Sequence, residues 1–447
     1  MVLSTVCALC LGVGPTSPAG ASGSAVAPPS SIPDDCSVDV TGALTTWFAT
    51  LGSGDAVNLP WNACYSVSNV PGDTLKLSGL HDVRINGDNA TFVQSSYGNG
   101  QCGTNDLQPV LWLTANSDLR ITDLTVSGPG TCGGASNEGD YGILMGQGAL
   151  GNSRVFMNGV SIENTDGDGL AILPLLGTGT GINTDVSFVN GDLSNIGYHA
   201  LTLEGVNGLR FSGNLVSGFA SFADLEVDNS CGASLNSGCY DSGGNPTSTA
   251  QWNVTISGNS FIDATSNANW IESEQGSCIP QKNLSIESNW LDGSVDGTIV
   301  LNGSGGSCAT DGNVTIADNL SMAPSHSPCG GSIAAPPACA LIEITHYSGV
   351  TIAGNTLAAF DGNPGYFANT PYTPCIALGD VRGASVTWNT CNNTLPWVSS
   401  VGLQFPPADA TNTGLMACGN TYGLTEPVAD LGMAAPPPPD PVSDGPC

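Results

Sequence analysis

The sequence is poor in charge, and poorest in positive charge. Only 10% of its 447 residues are Asp, Glu, Lys or Arg, and seven Lys plus Arg stand against 38 Asp plus Glu, a net charge of −31. Such a chain repels polyanions and has no basic stripe to hold phosphates, which excludes nucleic acid as a partner. Disorder and coiled coils are excluded as well, because both need dense charge and 40% of this chain is apolar or aromatic. Beyond the N-terminus no stretch reaches the ~18–20 apolar residues of a membrane span. Among four His, only His326, before Cys329, stands within five residues of a cysteine, and CxxC occurs only at Cys7–Cys10, so zinc knuckles fit poorly. Walker, Rossmann and GxSxG signatures are missing from any usable context.

What is abundant is Gly, at 60 residues, with 29 Pro and 16 Cys. Fourteen cysteines run singly from Cys36 to Cys447 among Gly, Ser, Asn and Pro, which reads as disulfides and an oxidising, extracytoplasmic compartment. The short intervals Cys231 to Cys239, Cys278 to Cys308 and Cys329 to Cys339 suggest loop staples worth ~2–4 kcal/mol each. Cys418 and Cys447 are a further pair that could tie back the Pro-rich tail. Val2 to Val13 form an apolar run followed by the small residues Ala19 to Ser22, as in a secretory signal lacking its basic start. A soluble secreted product is expected to begin near residues 22–30.

An internal repeat organises the rest. Val254-Thr-Ile-Ser-Gly-Asn259, Leu284-Ser-Ile-Glu-Ser-Asn289, Val314-Thr-Ile-Ala-Asp-Asn319 and Val350-Thr-Ile-Ala-Gly-Asn355 share one pattern, preceded by Leu209-Arg-Phe-Ser-Gly-Asn214. Weaker copies begin at Val83, Leu119, Val155 and Val186, with intervals of 23 to 45 residues between copies. Each unit holds short runs of period-2 alternation separated by turn residues, such as Val254–Ile256, Ser260–Ile262 and Trp270–Ser273, and gives no helix. Three strands per turn, stacked at the ~4.8 Å of paired strands, make a parallel β-solenoid. Asn214, Asn259, Asn289, Asn319 and Asn355 then recur at one corner, where stacked amides bond along the axis. Val40 to Leu51 can form one amphipathic helix, ended by Gly52 and Gly54, which would cover the open end of the stack.

The entry stretch GSGDAVNLPWNACYSV with LKLSGLHDVRINGDNATFV, and the units NTDGDGLAI and NIGYHALTLEG, resemble the secreted right-handed parallel β-helix proteins of the pectate-lyase-like superfamily. The resemblance spans roughly residues 40–400 and implies an all-β, right-handed parallel β-helix with a short N-terminal capping helix. It does not select a reaction, since that architecture carries lyases, hydrolases, epimerases, esterases and adhesive shafts. The galacturonase-like set is incomplete: NTD stands at 164–166, but the Asp-Asp, Gly-His-Gly and Arg-Ile-Lys elements are absent. The division expected is a leader over 1–30, a cap and entry coil over 31–80, the β-helix over 81–400, and a C-terminal cap with a Pro-rich tail over 401–447.

Aligning the third strand of each coil yields the candidate site. Apolar residues fall at matching inward positions, so the residues between them face outward. One outward column reads Ala171, Thr202, Glu226, Glu272, Val300, Glu343, and the next reads Leu173, Glu204, Asp228, Glu274, Asn302, Thr345. Stacking sets Glu226 about 5 Å from Glu272, where two carboxylates repel by ~3 kcal/mol at an effective dielectric near 20. Either a cation such as Ca²⁺, with Asp228 and Glu274 as ligands, or a proton held at raised pKa must offset that. The alternative is a solvated acidic face. Beside this wall lie Asp166 and Asp168, each of which taken singly reads first as part of a Gly-flanked turn, His199, in the place equivalent to Asp168 one coil on, and Asp224.

The expected constellation is therefore Asp168, His199, Asp224, Glu226 and Glu272 for acid/base chemistry, with Asp166, Glu204, Tyr198, Trp270 and Glu343 holding substrate. Two acids flanking a glycosidic bond suit hydrolysis of a polysaccharide or cell-surface glycan by a monomeric secreted enzyme. A Ca²⁺-dependent lyase and a non-catalytic glycan-binding shaft are the rivals. Arg84, Arg120 and Arg210 are expected on the first strand stack, away from the acids, and Lys282 in a loop, an arrangement that weakens a lyase acting on uronates.

Overall fold

The computed structural model describes residues 25–70, 72–96, 108–131, 140–146, 150–173, 182–218, 225–227, 251–262, 271–273, 281–292, 299–303, 312–325, 341–361, 372–393, 399–405, 413–422 and 426–430. Within them the chain winds as a parallel coil: one sheet of 24 strands runs round two sides and a second, of 12 strands, forms the third. The one helix among the described residues is Thr41–Phe48, shorter than the stretch Val40 to Leu51 expected from sequence. Asp39 opens it, its Oδ1 accepting from the Thr41 amide at 2.8 Å and the Thr41 hydroxyl at 2.6 Å. The helix buries Leu44 and Phe48 on the first turn of the coil.

The repeat copies sit in the register that their spacing implies. Val155 pairs with Val186, Val186 with Leu209, and so on through Val254, Leu284, Val314 and Val350 to Ala384. Two residues on, Met157, Phe188, Phe211, Ile256, Ile286, Ile316 and Ile352 form an interior column, each buried. Phe188 and Phe211 stack there at 5.6 Å between ring centres. Apolar residues at period 2 thus fill the lumen while their neighbours point out, the burial that drives a solenoid to stack.

The corner ladder has the composition expected and runs further. Asn214 donates from both its amide and its Nδ2 to Asn259 Oδ1, at 2.9 and 3.0 Å, and the same bonding continues through Asn289, Asn319, Asn355 and Asn389 to Asn420. A separate ladder, Asn116, Asn152 and Asn183, occupies another corner of the early turns. The coil also continues past residue 400, since Val401 to Phe405 pairs with Glu426 to Asp430.

Disulfides join Cys36 to Cys64 and Cys375 to Cys391, and Cys418 is bonded as well. The three staples suggested by short intervals lie outside the described residues. No helix among the described residues is long and apolar enough to cross a membrane.

Candidate active site

The 12-stranded sheet carries the candidate site, and its register reproduces the outward column. Ala171 pairs with Thr202, Thr202 with Glu226, Glu226 with Glu272, Glu272 with Val300, and Val300 with Glu343. Flanking inward residues such as Leu203, Ile271, Leu301 and Ile344 are fully buried, which fixes the facing of the residues between them. Glu272, Val300 and Glu343 are half-buried. In the neighbouring column Glu204 is half-buried and Thr345 donates to Asn302 Oδ1 at 3.0 Å. Asp224, Asp228, Trp270 and Glu274 lie outside the described residues, and Glu226 is described by its backbone alone.

Two forces act on Glu343. Burial takes its carboxylate out of water, and the negative charge of Glu272, two strands away across Val300, adds repulsion. Together they push its pKa from 4.5 up to about 7. A carboxyl that keeps its proton to neutrality can serve as a general acid. Sequence had placed Glu343 among substrate-holding residues; the environment gives it the properties of an acid, which its position in the column does not by itself reveal.

The turn before the sheet is built by close stacking. In Asn164-Thr-Asp-Gly-Asp-Gly169, Asn164 adopts φ 58° and Thr165 Oγ1 donates to Gly167 O at 3.1 Å. One coil on, a Cβ at Gly197 would lie 2.3 Å from Asp166 O, so only glycine lets the turns meet. Asp168 and His199 occupy equivalent places, Leu170 pairing with Leu201 just after them. Asp168 Oδ1 accepts from the His199 amide at 3.2 Å and lies 3.5 Å from His199 Nδ1. Tyr198 lies against the imidazole, 3.7 Å between ring centres.

Asp166 and Asp168 are 2% exposed and His199 3%, so this group is sealed within the fold. Its link to the outer column is Thr202, whose Oγ1 lies 3.2 Å from His199 Nδ1 and whose backbone pairs with Glu226. Sequence reading put Thr202 in the column but gave it no role, and it missed Asp140, another buried acid, whose carbonyl accepts from Gly167 N at 3.1 Å. No group of three or more metal-ligating side chains with suitable geometry occurs among the described residues.

The outer face changes character along the axis. On the earlier turns Tyr141, Leu144, Ala171 and Leu173 form a buried apolar cluster distinct from the lumen, with Trp112 packed on it. Trp112 donates Nε1–H to Gly146 O at 2.8 Å and carries the Lys76 ammonium 3.8 Å above its ring. From Thr202 to Glu343 the column is polar and acidic apart from Val300, and beyond it come Ala377, Gln404 and Ala429.

No family model matches the chain, and no curated protein matches it. Solved structures do. The A-module of mannuronan C-5 epimerase AlgE6 from Azotobacter vinelandii aligns over 92% of this chain and 96% of its own, with a TM-score of 0.60 and 14% identity. A DFA-IIIase from Arthrobacter chlorophenolicus A6 aligns over 92% and 100%, at 0.55 and 10%. The Dettilon tailspike aligns over 91% of this chain and 68% of its own, at 0.50 and 14%. The chain is a right-handed parallel β-helix. That architecture is the one expected from the entry coil and repeats, and identities this low speak to fold alone.

As for the cations, Arg84, Arg120 and Arg210 do lie on the larger sheet, exposed. Lys282 is not in a loop; it belongs to the strand Gln281–Glu287, paired with Trp252 and Gly312, although the alternation that starts at Leu284 is broken at Asn283, where φ is 58°.

Proposed function

We propose that the protein is a secreted polysaccharide-degrading enzyme that cleaves a glycosidic bond across the outer face of its 12-stranded sheet. The observation that carries this is the pair Glu272 and Glu343 in one outward column, with Glu343 protonated up to about pH 7. Glu343 acts as general acid on the leaving oxygen, and Glu272 as the base that activates water. Two rungs of ~4.8 Å separate their strands by about 10 Å, near the upper end of the carboxylate spacing for inversion of the anomeric centre.

Asp168 and His199 work behind this face. Sealed from solvent, they orient the Thr202 hydroxyl, and through it the edge of the acidic column, rather than touching the sugar. Tyr198 and Glu204, both half-buried, are placed to contact the glycan. Similarity in fold to a mannuronan epimerase and a DFA-IIIase supports a carbohydrate substrate. Paired cysteines support an oxidising compartment outside the cytoplasm.

A depolymerisation screen over purified polysaccharides tests the reading. On whichever polymer is cleaved, Glu343→Gln and Glu272→Gln are each expected to lose at least ~100-fold in kcat, with the fold intact by circular dichroism. Full activity in both variants would remove these residues from the mechanism.

A further inference from the structure

Every lysine and arginine of the chain is placed, and their distribution speaks to the charge of the substrate. Six of the seven, Arg84, Arg120, Arg154, Arg210, Lys282 and Arg382, stand on strands of the larger sheet. Arg154 is further held by Asp118, with bonds of 2.6 and 2.7 Å. Only Lys76 belongs to the 12-stranded sheet, on its first strand, where its ammonium rests over Trp112.

From Lys76 the ladder passes through Trp112, Leu144, Ala171 and Thr202 before it reaches Glu226, five pairings away. At ~4.8 Å each this is about 24 Å, and Glu343 lies about 38 Å away. Both exceed the ~8 Å over which charges interact at physiological salt. Because all seven cations are accounted for, none of the chain outside the described residues can bring a lysine or arginine to this face. A polyuronate or sulfated glycan lying along the column would meet carboxylates, with no lysine or arginine on that sheet beyond Lys76, against a molecular charge of −31.

We propose that the glycan taken by this site carries no anionic groups where it crosses the column, a neutral polysaccharide rather than a polyuronate. The inference rests on the function proposed above and narrows its substrate class.

Matched polymer pairs test it with the whole protein: polygalacturonate against its methyl ester, carboxymethyl cellulose against hydroxyethyl cellulose, and hyaluronan against its carboxyl-reduced form. Retardation in polymer-loaded gels and release of reducing ends would be read at pH 8, once with calcium and once with chelator. The expected result is that the neutral member of at least one pair is bound or cleaved, and its anionic counterpart at least about tenfold less, with the gap narrowing as salt is raised. Val300→Lys, which sets a cation between Glu272 and Glu343, is expected to shift preference toward the anionic member. Equal or better use of the anionic member by the unmodified protein, with or without calcium, overturns the inference while leaving the glycan reading intact. If no polymer of either kind is bound or cleaved, the glycan reading fails and takes the inference with it.

Discussion

At the scale of single residues, Glu343 is where environment departs most from composition. Its folded pKa of about 7 lies above the ordinary 4.5, so the folded protein loses stability as pH climbs between those two values, and loses no more above the upper one. Glu343→Gln removes this penalty: its gain over the wild type, measured by thermal melts, should be absent at pH 4 and reach at most about 3 kcal/mol at pH 8. Asp39 has the opposite sign. Burial would raise its carboxyl, but the hydrogen bonds from Thr41 and Asn69 together outweigh that and hold it low. Stability from Asp39 is thus present at neutral pH and lost in acid; Asp39→Asn should cost about 1 kcal/mol at pH 7, a deficit that closes as the wild type is acidified through the lowered pKa. The outward placement of Glu272 and Glu343 was legible in sequence because period-2 alternation assigns a face without any knowledge of neighbours. The proton on Glu343 was not, because desolvation depends on what surrounds a side chain, and sequence spacing does not report it.

At the scale of elements, the asparagine ladders carry the corners of the coil. Asn289 is buried and joins two neighbouring asparagines through its amide, Nδ2 and Oδ1, whereas Asn283 bonds in an exposed ladder through Asn253 and Asn313. Replacing Asn289 by Ala strands buried donors and should cost about 2–3 kcal/mol, against less than ~1 for Asn283→Ala, as chemical denaturation would show. Asn214 to Asn355 could be read from sequence because five copies share the position. The ladder of Asn116, Asn152 and Asn183 escaped notice, since there the asparagine precedes the first apolar residue of its copy, Leu119, Val155 or Val186, by three residues in turns whose repeat is weaker. The helix was overextended at both ends: amphipathic spacing continues to Leu51, which still packs against the core, but after Ala49 the backbone bonds tighten to three-residue turns, from Thr50 to Trp47 and from Leu51 to Phe48.

At the scale of the whole molecule, charge and topology act together. Stacking parallel turns forces identical positions into columns, so a sequence with nine Glu can line up Glu226, Glu272 and Glu343 on one sheet while six of its seven cations stand on the other. Among the described residues a single arginine–carboxylate pair, Arg154 with Asp118, offsets the excess of negative charge. Self-repulsion should therefore dominate, and the melting temperature at pH 8 is expected to rise by a few degrees from ~10 mM to ~300 mM salt; a fall would show that attractive pairs matter more. Fold and strand register were readable because the repeat dictates both, while the regions joining the strands follow no repeat, which is why disulfide pairing and the sealing of Asp168 and His199 were not. With only nine glutamates, selective ¹³C labelling of the side-chain carboxyls resolves each one through an NMR titration. Glu343 should titrate near pH 7, and its midpoint should fall in Glu272→Gln; a midpoint near 4.5, unmoved by that substitution, would contradict the account.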